Sequence, residues 1–305
     1  MAFAVADKPA TRTGDLRPDR TTRVALVQAT QAIGTETFAP RDDNLDKALS
    51  AIDRAASDGA DVVVFGEMYL SGYRTDEWLH KWATTVTPPD RHVQALMDKA
   101  RSRGIVILMG VGTFGAIMPG DVYNSTLVVC PDGLEGVYRK SHVAAFPYSE
   151  GVALERCFYS PGKELPVFDT PAGAIGVHIC YDMSFPEVAR VQTLKGADML
   201  VNTSGSAAGF EEYWDHVAYA RAVENLTWYV VCSAVGQQRD TMLFGGSRII
   251  DPGGVVVAAA KHNEEDYVFA DLDLDRPRSL RSTSHTLSIR QPELYAPIAE
   301  PQLEI

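Results

Sequence analysis

The chain has 305 residues, 46% of them hydrophobic and 22% charged, which is the balance of a soluble globular protein long enough for one large domain or two ordinary ones. Its formal charge is -12, with a pI near 5.0 and no stripe of Lys or Arg, and this excludes nucleic acid as a natural partner. The four cysteines, Cys130, Cys157, Cys180 and Cys232, are too scattered for a disulfide framework and form no CxxC pair, so a reducing compartment and a cytoplasmic protein are expected.

Residues 1–20 mix Ala, Thr, Asp, Arg and Pro without a continuous apolar stretch, and they read as a flexible leader, not a signal peptide. No window approaches the roughly 20 apolar residues of a membrane span. From there strands and helices alternate. Arg23 to Gln28 is a buried strand, Arg41 to Ser57 a helix with Leu45, Leu49, Ile52 and Ala55 at three-to-four spacing, and Asp61 to Phe65 a second buried strand. The opening is thus β-α-β with a parallel pair. A helix from Asp90 to Arg103 stops at Gly104 and leads into a strand from Ile105 to Met109. Asn124 to Cys130 and Leu134 to Lys140 flank Pro131-Asp132-Gly133 and predict an antiparallel hairpin, which makes the sheet mixed.

The second half repeats the alternation: strand Ala174 to Cys180, helix Phe185 to Gly196, strand Asp198 to Asn202, helix Glu211 to Asn225. Short strands follow at Trp228 to Val235, Gly245 to Ile250, Val255 to Ala260 and Tyr267 to Leu272. No linker or change of composition divides the chain, so residues 21–305 are expected to form a single domain.

Two motif matches carry no chemistry. Gly110-Val-Gly-Thr-Phe-Gly115 fits GxGxxG but runs toward another strand, whereas a dinucleotide site needs a helix N-terminus there. Asp271-Leu-Asp-Leu-Asp275 lacks the turn glycine and terminal Glu of a calcium loop. The absence of GxSxG, P-loop, HExxH and CxxC patterns leaves cysteine chemistry.

Cys130 and Cys232 lie inside apolar runs, where a thiol behaves as a small hydrophobe, and Cys157 has no activator beside it. Cys180 ends a strand just before a helix, an elbow that exposes a side chain beside backbone N–H groups able to stabilise a thiolate or an oxyanion; a structural cysteine is the alternative. Glu67 follows four apolar residues of a central strand, where partial burial raises a carboxyl pKa toward the range of a general base; a solvated strand-end acid is the alternative. Lys140 closes a third strand-like run, and its alternative is an exposed surface lysine. In a layered α/β protein three such strand ends can meet in one crevice.

Phe65-Gly-Glu-Met-Tyr-Leu-Ser-Gly-Tyr73, Tyr138-Arg-Lys-Ser-His142 and Gly176-Val-His-Ile-Cys-Tyr-Asp-Met-Ser-Phe-Pro-Glu187 resemble, in order and spacing, the Glu, Lys and Cys motifs of the nitrilase superfamily of carbon-nitrogen hydrolases. Leu154 to Gly162, Arg221 to Asn225, Gly245 to Ile249 and Arg290 to Tyr295 extend the likeness over roughly residues 22 to 296. The resemblance implies an α/β fold that is a four-layer αββα sandwich, pairing through the helices from Phe185 and Glu211 into an αββα-αββα dimer. It also implies that Glu67, Lys140 and Cys180 cleave a carbon-nitrogen bond through a thioester, with Lys140 and the Tyr181 N–H at the oxyanion. A second glutamate is expected between the Lys and Cys motifs: Glu155 matches best and Glu150 is its rival. No metal or organic cofactor is implied.

Nitrilases proper resemble one another in having Trp-Glu after the cysteine, and Tyr181-Asp182 tilts the reading toward amidases and N-carbamoyl amidohydrolases. Met183-Ser184 stands where D-amino-acid carbamoylases carry arginines, which disfavours an α-carboxylate substrate. The expected substrate is a small linear amide, then a carbamoylated amine, then a nitrile. Tyr73, Phe146, Tyr148 and Tyr181, with Trp78 and Trp214 behind them, are candidates for the pocket wall, although aromatics are as often plain core. A catalytically inert interaction subunit and a thioester-dependent acyltransferase are the readings from other classes.

Overall fold

A computed structural model describes residues 20–33, 39–73, 76, 78–115, 120–144, 155–238 and 241–300. The expected leader lies outside the described residues apart from Arg20, and so do Phe146, Tyr148 and Glu150.

The first sheet is built from β1 (Thr21–Gln28), β2 (Val62–Phe65), β3 (Val106–Phe114), β4 (Val122–Cys130) and β5 (Gly133–Arg139), with the late strand β14 (Asp266–Asp273) closing its edge in the order β14-β1-β2-β3-β4-β5. β1, β2 and β3 run parallel, while the β4–β5 hairpin and β14 are antiparallel additions. The helices that make the parallel crossovers are α1 (Ala39–Ser57) and α3 (Arg91–Arg103), with the short α2 (Leu79–Trp82) between β2 and α3. Asp90 caps α3 by accepting from the His92 and Val93 N–H groups, and Gly104 ends it in the left-handed region.

The second sheet has the order β13-β12-β9-β8-β7-β6: β6 (Val167–Thr170), β7 (Gly173–Ile179), β8 (Met199–Ser204), β9 (Trp228–Ser233), β12 (Arg248–Ile250) and β13 (Val256–Ala259). Its parallel centre, β7-β8-β9, uses α5 (Pro186–Leu194) and α6 (Glu211–Asn225) as crossovers. A short hairpin of β10 (Val235–Gln238) and β11 (Thr241–Phe244) stands apart from both sheets. Two brief helices, α4 (Glu155–Phe158) and α7 (Arg276–Ser284), complete the elements used below.

Strand periodicity explains the layering. Val62 and Val64 of β2 face the second sheet with Leu26, Leu108, Val177, Ile179 and Val201, whereas Val63 and Phe65 face helices α1 and α3 with Ile52, Val93 and Leu96. Trp214, Ala218 and Ala222 of α6 cover the other side of the second sheet. The layers are therefore helix, sheet, sheet, helix, the expected sandwich.

Some boundaries differ from the sequence reading. The strand expected over Gly245 to Ile250 begins only at Arg248, because Gly245 and Gly246 both adopt positive φ, and β6, the β10–β11 hairpin and α7 were not foreseen. The GxGxxG match lies within β3 up to Phe114, with Gly115 just past the strand end, so its rejection as a nucleotide loop stands. Its first glycine has another purpose: a Cβ at Gly110 would lie 2.1 Å from the Gly66 carbonyl oxygen and 2.6 Å from the Met68 nitrogen, on either side of Glu67. At Gly112 the nearest atom is the flexible Met68 Cε, 3.3 Å away. Gly110→Ala is thus expected to cost about 1–3 kcal/mol in urea denaturation through overpacking against backbone. Gly112→Ala should cost markedly less, and equal losses would contradict this account of the β2–β3 approach.

Candidate active site

Lys140 and Cys180 follow directly after β5 and β7, and Glu67 is the second residue after β2, so all three stand at carboxyl ends of strands from two sheets. The Glu67 N–H donates to the Ser204 carbonyl at the end of β8 (3.0 Å), and the Ala234 N–H after β9 donates to that same oxygen (2.9 Å), so the two sheets are tied together at this rim. The Lys140 backbone is fixed on both sides: its N–H donates to the Asn124 carbonyl and its own carbonyl accepts from Gly162, each at 2.8 Å.

The Lys140 ammonium, 1% exposed, lies between two buried carboxylates. It is 2.8 Å from Glu67 Oε1 and 2.9 Å from Glu155 Oε2. Asn124 on β4 joins the same pair, its Nδ2 donating to Glu67 Oε1 (2.7 Å) and Glu155 Oε1 (3.0 Å). Glu155 Oε2 also accepts from the Ala144 N–H, and the Tyr73 hydroxyl bonds to Glu155. Burial lowers the Lys140 pKa, but Glu155 and Glu67 more than offset it and hold the ammonium well above its ordinary range. For Glu67 burial wins over the attraction of Lys140, and its carboxyl is raised. Its second oxygen, Oε2, is buried without a hydrogen-bond partner.

Cys180 opens a 3-10 turn (Cys180–Ser184) between β7 and α5, with φ at +43°. Five non-glycine residues among those described have positive φ, and Met68 beside Glu67 (55°) is another. Such strain at the two sheet ends costs about 1–2 kcal/mol per residue and persists because the surroundings fix it. Burial, then the charge of Glu67, pushes the Cys180 thiol up to about 12, against the pull of Lys140 and a hydrogen bond from the Gly205 N–H. A Cβ on Gly205 would sit 3.3 Å from Glu67 Oε2, so the backbone that supports the sulfur also borders the unpartnered oxygen. Cys180 is thus a neutral thiol beside the Glu67 carboxyl group.

A cavity of about 580 Å³ is lined by chain neighbours of these groups, Ser141 and His142 after Lys140, Arg156 after Glu155 and Tyr181 after Cys180, together with Tyr159 and Phe185. Tyr181 lines this cavity and packs edge-on against Phe185. Two weaker candidates are placed elsewhere. Trp214 is core on α6, and the Lys81 ammonium covers the Trp78 ring at 3.6 Å. The sequence reading missed Asn124, whose signal was a polar Asn-Ser-Thr stretch opening an otherwise apolar strand, and the Gly205 N–H, which has no side-chain signal.

A buried cation flanked by two carboxylates makes a clear prediction. Lys140→Leu leaves Glu67 and Glu155 without their counter-charge and is expected to destabilise the fold by about 3–5 kcal/mol at neutral pH. Loss of the ammonium should raise the Glu67 carboxyl further in the folded state, so the destabilisation should shrink as pH falls. A urea series from pH 8 to pH 5 checks both, and a pH-independent loss below 1 kcal/mol would contradict the charge account.

Residues 23–282 match the family model described as carbon-nitrogen hydrolase. The chain is 35% identical to the nitrilase of Pyrococcus abyssi over 79% of this chain and 87% of that one, and 32% identical to the omega-amidase NIT3 of Saccharomyces cerevisiae over 84% and 90%. The crystal structure of Saccharomyces cerevisiae Nit3, a member of branch 10 of the nitrilase superfamily, superposes with a TM-score of 0.76 at 28% identity, covering 87% of this chain and 94% of that one. With the fold, the motif order and the family model in agreement, this chain belongs to the carbon-nitrogen hydrolase family of the nitrilase superfamily.

Proposed function

We propose that the protein hydrolyses the carbon-nitrogen bond of a small linear amide through a Cys180 thioester, releasing ammonia or an amine. The observation that carries this reading is the Glu67–Lys140–Glu155 cluster beside Cys180, with one Glu67 oxygen left unpartnered. Glu67 takes the thiol proton through that oxygen, and the sulfur attacks the amide carbon. Lys140 Nζ and the Tyr181 N–H stabilise the oxyanion of the tetrahedral intermediate. Glu67 returns the proton to the leaving nitrogen, then activates the water that releases the acid. Glu155, bonded to Lys140 and Tyr73, orients the ammonium.

The split of named relatives between nitrilase and omega-amidase keeps two further substrates in view, carbamoylated amines and nitriles. Tyr181-Asp182 after the cysteine favours the amide. Three polar side chains buried in mutual contact argue against an inert interaction subunit, since burial without use costs stability. Transfer of the acyl group to an amine instead of water uses the same thioester and is read from the products.

The same proposal takes residues 21–305 as one catalytic domain. No described helix is long and apolar enough to cross a membrane, and four free cysteines favour a reducing, cytoplasmic setting. We also propose a homodimer through α5 and α6, whose outer faces expose Leu194, Tyr213, Tyr219 and Val223. Tyr219→Glu with Val223→Glu should then shift sedimentation from dimer to monomer. A monomeric wild type would refute the pairing.

A panel of small amides, ureas and nitriles, monitored for ammonia, tests the chemistry. Cys180→Ala should release none above background, and Glu67→Gln should lower kcat by about 10²–10⁴-fold. In the wild type, kcat/KM should rise with pH through the raised pKa of Glu67, because the base must be ionised, and the limb should lie above the ordinary carboxylate range. Equal ammonia release by wild type and Cys180→Ala would overturn the mechanism.

A further inference from the structure

Asp182, two residues after Cys180, is fully buried, and its carboxylate accepts five hydrogen bonds from two separate parts of the chain. One donor is the N–H of Ile179 (2.9 Å), the residue immediately before the cysteine. The other four flank the lysine: the Tyr138 hydroxyl (2.7 Å), the Ser141 hydroxyl (2.8 Å), the His142 N–H (2.8 Å) and His142 Nδ1 (3.0 Å). The His142 ring in turn stacks on Phe185 at 3.7 Å, at the head of α5. Nothing covalent joins these segments closely, since about 40 residues separate Asp182 from its lysine-side donors.

Asp182 and Glu67 are both buried acids at this site, and they are used oppositely. Glu67 keeps one oxygen unpartnered, whereas both oxygens of Asp182 are occupied. Burial pushes the Asp182 carboxyl up, but His142, Tyr138 and the Ile179 N–H more than offset it, so it stays ionised below the usual carboxylate range. An acid with no free lone pair and no tendency to protonate is suited to holding geometry, not to moving protons.

We propose that Asp182 is a positioning residue that sets the separation between the Lys140 ammonium and the Cys180 sulfur, by bonding at once to the backbone of Ile179, the residue before the cysteine, and to both sides of the lysine. This rests on reading Cys180 as the nucleophile and Lys140 as the oxyanion group. The elbow at Cys180 holds a positive φ, and the Asp182–Ile179 bond closes the turn that contains it. Loosening that turn moves the sulfur relative to a lysine that its own carboxylates keep in place.

The test measures kcat and KM on a small amide for Asp182→Asn, Tyr138→Phe and Cys180→Ala, normalised to folded sites, counted as protein concentration times the native fraction given by near-ultraviolet circular dichroism. Counting sites removes the contribution of unfolded protein, so a purely structural role leaves kcat per site unchanged. Positioning predicts a kcat per site about 100-fold lower in Asp182→Asn, with KM within about threefold. It also predicts iodoacetamide labelling of Cys180 at lower pH than in the wild type, as the loosened thiol moves toward the ordinary range. Tyr138→Phe removes one hydroxyl without changing shape and should lower kcat per site about 10-fold, which keeps the test open should Asp182→Asn fail to fold. Wild-type kcat per site in whichever of these variants folds would overturn the proposal. Activity surviving in Cys180→Ala would instead overturn the proposed function, whatever Asp182 does.

Discussion

The site depends on one buried ammonium. Lys140 brings a positive charge into a region from which water is excluded, and it lies 2.8 Å from a Glu67 oxygen and 2.9 Å from a Glu155 oxygen. Neither carboxylate is tenable alone at that depth, and the lysine is not tenable without them, so the cluster forms as a unit or fails as one. Asn124 completes it with two donors that a water would otherwise have to supply. This arrangement accounts for the presence of so much polarity at the rim of two sheets whose interiors are packed hydrocarbon.

The same interaction explains the electrostatic contrast between the thiol and the carboxylates. A cysteine paired with an imidazolium is ionised at rest, whereas burial and the Glu67 charge keep Cys180 protonated. Under the proposed function, a neutral thiol with Glu67 beside it suits chemistry in which the proton moves only as the substrate carbon is attacked. Backbone strain accompanies this arrangement, with positive φ at Cys180 itself and at Met68, the residue after Glu67.

The fold supplies the rigidity this requires. Two parallel three-strand centres, β1-β2-β3 and β7-β8-β9, face each other, and backbone hydrogen bonds to the Ser204 carbonyl clamp their carboxyl ends. Gly110 lets β3 come close enough to hold the Glu67 segment from the other side. The carboxylate and the cysteine thus stand on separate sheets that cannot shift independently.

The sequence by itself determined the layer plan and the identity of the three polar strand ends. Alternating and continuous apolar runs state which faces must leave water, and Gly104, Asp90 and the Pro131-Asp132-Gly133 turn state where elements stop. The motif order around Glu67, Lys140 and Cys180 was equally plain. Only tertiary structure decided that Glu155 contacts the lysine, that Asn124 and Asp182 belong to the network, and that Trp78 and Trp214 do not face the cavity. The physical reason is range. Periodicity and capping are local properties written in neighbouring residues, whereas a hydrogen bond between residues tens of positions apart exists only once the two sheets have packed and fixed the distance between them.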